Sequence, residues 1–410
     1  MMSIGVGGKT VKEALASLTD MSQGIEDITV SEYQQRILKA QGAMKEQCVA
    51  AMFISPSSNL TYFTGIQWRA TERLLGAIIP VEGPVIYVVP NFELSSFKQC
   101  IIVEGELVTW QEHENPYELA IKLFFLKLKP EYYNWELALC GAMPHGMAKK
   151  LTDLEPNFKF SCADKITEPL RQIKSQQELL ILKRAMEMTL AVQQAAASIL
   201  YQGISSKDVV EFIDLAHKKV GATGSYFCLV LFAEASAIPH GIKGWQTLKS
   251  GDMVLIDTGC KFKGYTSDIT RSYVFGIPTK RQKQVWNIEK ELQEVAFNAA
   301  RLHHTCASVD QQVRNRLLEL GYGEEYSLPG VPHRTGHGIG LDIHEGPYLV
   351  GGDDTKLSVG MCFSNEPTIC IPKQFGVRLE DHFYMTKTGP VWFTEPSKSL
   401  ADPFGLSSNE

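Results

Sequence analysis

Two pairs of carboxylates, each set at the end of an apolar run, constrain this chain more than any other feature of its sequence. In MVLIDTGCKFKGYTSDITRSYVF four apolar residues, Met253 to Ile256, lead to Asp257, a turn at residues 261–264 reverses the chain, and Asp268 stands on the returning strand. In MCFSNEPTIC Glu366 follows an apolar strand, and in FGVRLEDHFY Glu380 lies between Leu379 and another apolar run. A carboxylate at the end of a buried strand is costly unless a cation or a donor satisfies it. One such hairpin reads as an ordinary surface turn with two acids. Four acids in equivalent settings require a common cause. The order of elements also repeats. Helices from about residue 177 and about residue 206, the second opened by Ser205 and Asp208, precede the first pair of acids; helices from about residue 281 and from Ser308 and Gln311 precede the second. This recurrence after roughly 100 to 110 residues implies two similar half-domains facing each other across a shared site.

Between the pairs lies HRTGHGIGLDIHE, where His333, His337 and His344 are interleaved with Gly336, Gly338 and Gly340, which leave the imidazoles approachable from a cleft. Carboxylates in the majority with one imidazole suit two adjacent divalent cations better than a thiolate-type structural zinc site. Acids that bridge such a pair hold the ions about 3.5–4 Å apart, and a water shared between them loses its proton near neutral pH. Hydrolysis of an amide is the natural use.

The rest of the chain narrows the class. With 410 residues, 44% of them apolar and 21% charged, it can bury a large core and divide into two domains. A formal charge of -6 offers no electrostatic footprint for nucleic acid or an anionic membrane. The most apolar stretch, Leu74 to Pro90, is interrupted by Pro80, Glu82, Gly83 and Pro84, so it reads as two buried strands around a turn. The N-terminus lacks a basic start followed by an unbroken apolar segment, and the 9 cysteines form no close pairs; both features point to a cytoplasmic protein with reduced, structural thiols. Short apolar runs over residues 50–130 alternate with helical stretches, one opened by Asn115 and Pro116, and indicate a small α/β domain. A long helix with a capping box at Ser175 and Glu178 follows. The expected organisation is an extension over 1–28, a first domain over 29–165 and a catalytic domain over 166–410.

The string Asp257, Gly259, Gly264, Tyr265, Ser267, Asp268, Thr270 and Arg271, followed by His337, Glu366 with Pro367, and Arg378 with Glu380, resembles the Xaa-Pro peptidases of the creatinase superfamily, peptidase family M24, which includes aminopeptidase P and prolidase. The resemblance covers roughly residues 165 to 390, and FISPSSNLTYFTGIQW is similar, more loosely, to that family's N-terminal domain. It implies an α/β (α+β) chain with a pita-bread catalytic domain of pseudo-twofold halves, preceded by a smaller creatinase-type domain. It implies metal ligation by Asp257, Asp268, His337, Glu366 and Glu380, with Asp268 and Glu380 bridging two divalent ions, Mn2+ first and Co2+, Zn2+ or Fe2+ as alternatives. Glu366 would also be the general base. His344 would stabilise the oxyanion or bond the scissile carbonyl. His240, in ASAIPHG, would contact the substrate near the scissile nitrogen, and His333 and Arg378 would bind its proline end or orient the acids. The activity implied is cleavage of the Xaa-Pro bond in di- or short peptides by a metal-bridging hydroxide, in a homodimer. The same fold and metals also serve enzymes acting on non-peptide amides, cyclic amidines, organophosphates or sulfonium compounds. Two departures bear on the pocket: Arg334 and Thr368 stand where the family commonly has Gly. Trp68, Arg69 and Arg73 belong either to a lid or partner contact or to an ordinary loop.

Overall fold

The computed structural model describes residues 3–407 and divides the chain into two units, Asp27–Arg171 and a larger one that joins the residues before 27 to Gln172 onward. The smaller unit is built on a six-stranded sheet in the order Gly105–Trp110, Val85–Pro90, Gly76–Pro80, Val49–Ile54, Glu136–Leu139 and Phe160–Cys162. Three of these strands, Val49–Ile54, Gly76–Pro80 and Val85–Pro90, are buried along their whole length, which is why they read as unbroken apolar runs. The helix Pro116–Lys127 opens as its sequence requires, with the Asn115 side chain accepting from the Tyr117 N–H and proline at the first position. Trp68 packs edge-on against Phe97, and Arg73 pairs with Glu72 and Glu112 on the surface of this same unit.

In the larger unit the element order occurs twice. The helices Gln176–Ser198 and Ser206–Lys219 precede a sheet of Ser225–Phe232, Met253–Phe262 and Ile269–Val274. The helices Lys280–Ala299 and Cys306–Glu319 precede a sheet ordered Glu345–Leu349, Gly336–Gly338, Cys362–Asn365, Asp381–Thr386 and Gly389–Trp392. Reciprocal capping boxes start the first helix of each half, Ser175 with Glu178 and Thr279 with Gln282. The last helix begins at Cys306, earlier than its sequence suggests, because Thr305 takes the extended cap conformation and accepts from the Ser308 N–H. Residues before 27, read from sequence as an extension, pack onto this unit through main-chain bonds, Gly7 N–H to Ala197 O at 2.8 Å and Lys9 N–H to Ser198 O at 3.0 Å. All nine cysteines are free thiols, and no helix among the described residues is long and apolar enough to cross a membrane.

The strands Thr368–Ile371 and Phe375–Arg378 form a further two-stranded sheet in this unit, and Ile269–Val274 meets its end, and the chain that continues from it into Asp381–Thr386, along one seam. Glu380 N–H donates to Thr270 O at 3.1 Å, and Ser272 Oγ both donates to Arg378 O at 2.8 Å and accepts from the Arg378 N–H at 3.0 Å. Across it the fully buried Arg271 guanidinium reaches Asp381 Oδ1 at 2.7 Å and Glu380 O at 3.1 Å. Removing one member of such a pair strands a charge in the core. Asp381→Ala is therefore expected to lower the unfolding free energy by about 3–5 kcal/mol, while the double change Arg271→Met with Asp381→Leu restores much of the loss. Urea denaturation of the two variants measures both effects.

Candidate metal centre

The first pair of acids is set by strand register. Met253–Phe262 pairs with the returning chain at Lys261↔Thr266 and Thr258↔Ile269, so Asp268 falls opposite Gly259 and Asp257 opposite Thr270. Side chains alternate along a strand, so Asp257 and Asp268 emerge on one face. The ladder opens at Asp268: the Cys260 N–H goes to Ser267 Oγ at 2.9 Å. Gly259 is required there, because a Cβ on it would stand 1.8 Å from Ser267 O. The second pair follows the same logic. Asn365 pairs with Asp381 and Ser364 with His382, which brings Glu366 opposite Glu380 and puts Ser364, Glu366, Glu380 and His382 on a common face.

His337 enters from the short strand Gly336–Gly338. Its Nδ1 bonds Gly338 O at 2.9 Å, which leaves Nε2 facing the acids, 3.1 Å from Glu366 Oε1, 3.8 Å from Asp268 Oδ2 and 4.0 Å from Glu380 Oε1. Ser364 Oγ accepts from the His337 N–H at 2.8 Å and donates to Glu366 Oε1 at 3.1 Å. Gly336 permits this approach, since a Cβ there would lie 2.1 Å from Ser364 O.

The acids are deeply placed, with Asp268, Glu366 and Glu380 exposed by 4%, 7% and 1%. Burial, then the Glu380 charge, raises the Asp268 carboxyl well above its ordinary range, and burial, then the Glu366 charge, does the same to Glu380. Burial also opposes ionisation of Glu366, but the bond and charge of His337 outweigh it and hold that carboxyl low. Asp257 Oδ1, Asp268 Oδ1 and Glu380 Oε1 are buried without a hydrogen-bond partner among the described residues. Three sets have donor atoms within 4.8 Å of one another: Asp257, Asp268 and Glu380; Asp268, His337 and His344; and His337, Glu380 and His382. Orphaned oxygens, crowded acids and a hard donor set fit divalent cations.

The acids form the floor of a cavity of about 900 Å³. His240, His333, Arg334, His344 and Arg378 all border it. His344 sits with its ring centroid 4.2 Å from that of His337, and desolvation by the cavity wall, reinforced by His337, pushes its pKa down to about 4. His333 Nε2 lies 2.9 Å from the Thr368 hydroxyl, so the residue that departs from the common glycine holds a histidine of the site. Arg378 Nη2 donates to Asp257 Oδ2 at 2.9 Å and orients that acid.

Further residues, not singled out from the sequence, fix the ligand-bearing strands. Gln193, on the first helix of its half, donates to Ile256 O at 2.9 Å and Ile269 O at 2.8 Å, the neighbours of Asp257 and Asp268. Gln293, on the corresponding helix of the second half, donates to Leu379 O and Asp381 Oδ2, each at 3.1 Å, on either side of Glu380. Both glutamines are fully buried, and their signal in the sequence is a shared polar position on two equivalent helices. Arg314 similarly grips Val331 O at 2.7 Å and His333 O, while Asp310 accepts from Thr335 Oγ1 at 2.6 Å. Gln293→Met keeps the volume and leaves two buried acceptors unpaired, so it is expected to lower stability by about 2 kcal/mol or more, measured by denaturant titration.

The profile of metallopeptidase family M24 matches residues 181–387, and that of the creatinase/prolidase N-terminal domain matches residues 36–173. A putative dipeptidase of Bacillus subtilis, YkvY, is 32% identical over 366 residues, 89% of this chain and 99% of its own length. The recombinant prolidase of Thermococcus sibiricus superposes with a TM-score of 0.80 at 31% identity, over 91% of this chain and 98% of that one. The dipeptidase PepE of Mycobacterium ulcerans superposes with a TM-score of 0.81 at 29% identity, over 90% of this chain and 97% of that one. With its duplicated pita-bread architecture and its floor of acids, the chain belongs to metallopeptidase family M24 and carries a creatinase-type N-terminal domain.

Proposed function

We propose that this metallopeptidase is an Xaa-Pro dipeptidase working with two divalent ions. The observation that carries the reading is a floor of four acids and His337 beneath a cavity whose wall bears Arg334, a guanidinium with no carboxylate partner among the described residues. The ions would be held by Asp257, Asp268, His337, Glu366 and Glu380, and the place of Asp268 beside both Asp257 and His337, like that of Glu380, supports their being shared. The carboxylates alone make Mn2+ the first choice over Co2+, Zn2+ or Fe2+. When bound, such ions acidify a water between them and polarise the scissile carbonyl.

The chain's own groups supply the rest. Glu366, kept ionised by His337 and Ser364, accepts the proton of the attacking water. His344 is neutral at physiological pH, so its ring N–H donates to the oxyanion without bringing a charge that would repel the ions. His240, on the cavity wall, faces the leaving nitrogen, and His333, anchored by Thr368, borders the proline side. Phe227, Leu229, Ile238, Pro332 and Ile343 give that wall an apolar surface suited to a pyrrolidine ring, whose acylated nitrogen needs no acceptor. Arg334, stacked 4.4 Å from the Tyr348 ring centroid, pairs with the free carboxylate that a dipeptide presents immediately after its proline ring. The dipeptidases and the prolidase among the relatives support this assignment.

Ala-Pro, Ala-Pro-Pro and Ala-Ala offered to metal-stripped protein with and without Mn2+ test the reaction. Ala-Pro is expected to be cleaved fastest, only with metal, and not by Asp268→Ala. Tight binding of two ions without cleavage of any peptide would move the search to non-peptide amides. Arg334→Met tests the length rule separately: the KM for Ala-Pro should rise about 10- to 100-fold, the strength of a charge-assisted bond, while Ala-prolinamide is unaffected. Equal effects on both substrates would sink the carboxylate assignment.

A further inference from the structure

We infer that His382 is an additional ligand of the metal centre, supplying a second imidazole to the ion held by His337 and Glu380. The inference rests on the reading that cations occupy the acids, and it adds a donor that lies outside the five-residue set drawn from the family resemblance.

His382 pairs with Ser364 and lies two residues beyond Glu380 on the same strand, so alternation aims its side chain at the face that carries Ser364, Glu366 and Glu380. Its ring centroid is 6.0 Å from that of His337, and a nitrogen of His382, a nitrogen of His337 and an oxygen of Glu380 lie within 4.8 Å of one another. Donor atoms on one octahedral or tetrahedral ion stand at such separations.

His382 is fully buried, yet neither Nδ1 nor Nε2 has a hydrogen-bond partner among the described residues. An imidazole always carries at least one N–H and, when neutral, one lone pair, and leaving both unmet in a core costs free energy that a leucine or phenylalanine of similar size would not. Buried polar atoms of this kind ordinarily have a partner. The Asp268 backbone lies beside the ring without closing a bond of good geometry, and it is the kind of group to which a ligating histidine turns its second nitrogen. The same ring thus faces an acid floor on one side and main chain on the other.

A second nitrogen donor changes what the site prefers. Imidazole suits cobalt, nickel and zinc more than manganese, so the choice of Mn2+ made from the carboxylates alone shifts toward the later first-row ions.

Metal-stripped wild type, His382→Asn and His382→Leu, each checked for native circular dichroism, are titrated with Co2+, Zn2+ and Mn2+ against a competing chelator. The expected result is a loss of about 10-fold or more for Co2+ and Zn2+, a smaller loss for Mn2+, and a changed visible spectrum of the Co2+ protein. Unchanged affinities and an unchanged Co2+ spectrum would overturn the assignment while leaving the metal site intact; failure of the wild type to bind any ion would remove both. Should neither variant fold, proton NMR of Co2+-loaded His344→Ala decides the matter without touching the core. Two exchangeable, hyperfine-shifted ring N–H signals are expected, from His337 and His382, and a single one counts against the proposal.

Discussion

Mutual repulsion among Asp257, Asp268, Glu366 and Glu380 is the constraint around which the larger unit is built. Two unit charges 4 Å apart repel by about 4 kcal/mol at an effective dielectric near 20, and four acids in one buried floor multiply the cost. The fold answers it locally with Arg378 at Asp257, His337 at Glu366 and the Thr270 hydroxyl at Glu380, the last donating at 2.8 Å. Asp268 receives no comparable side-chain donor among the described residues, and with Glu380 it is pushed toward its protonated form. Protein groups thus compensate part of the charge and leave a deficit that cations remove.

Holding repelling groups together needs a stiff frame, and the two halves build it with related parts. Gln193 and Gln293 come from equivalent helices and bond the peptide groups flanking the acids. The halves then differ. The first places both acids on one hairpin, so that a single glutamine spans them. The second sets Glu366 and Glu380 at the two ends of the hairpin formed by Thr368–Ile371 and Phe375–Arg378, and adds the Arg271 and Asp381 ion pair and an Asn365 bond to Gln293 O at 2.8 Å.

What the sequence disclosed followed from where each signal resides. The acids were legible because costly groups recur at strand ends, and register alone then sets each pair side by side; His337 was legible in the run of histidines interleaved with glycines. His344 was legible in that same run, and His240 only through the family resemblance. Gln193, Gln293 and His382 were not, since a glutamine on an amphipathic helix looks like a surface residue and a histidine in an alternating strand looks like one more polar position. The place of residues before 27 was illegible for another reason. They attach by main-chain N–H groups to Ala197 O and Ser198 O, which leave no mark in side-chain composition. Thr368 stood out as a departure, and only coordinates reveal that its hydroxyl bonds His333.

The seam between Thr270 and Glu380 carries one of the acids into the contact that joins the halves. A cation that binds the assembled acids, and not the unfolded chain, stabilises the fold in proportion to the logarithm of its concentration. Because those acids sit at that seam, the contribution falls on the contact whose opening separates the halves. Scarcity of the ion would therefore raise the population of opened molecules, the form that proteases attack.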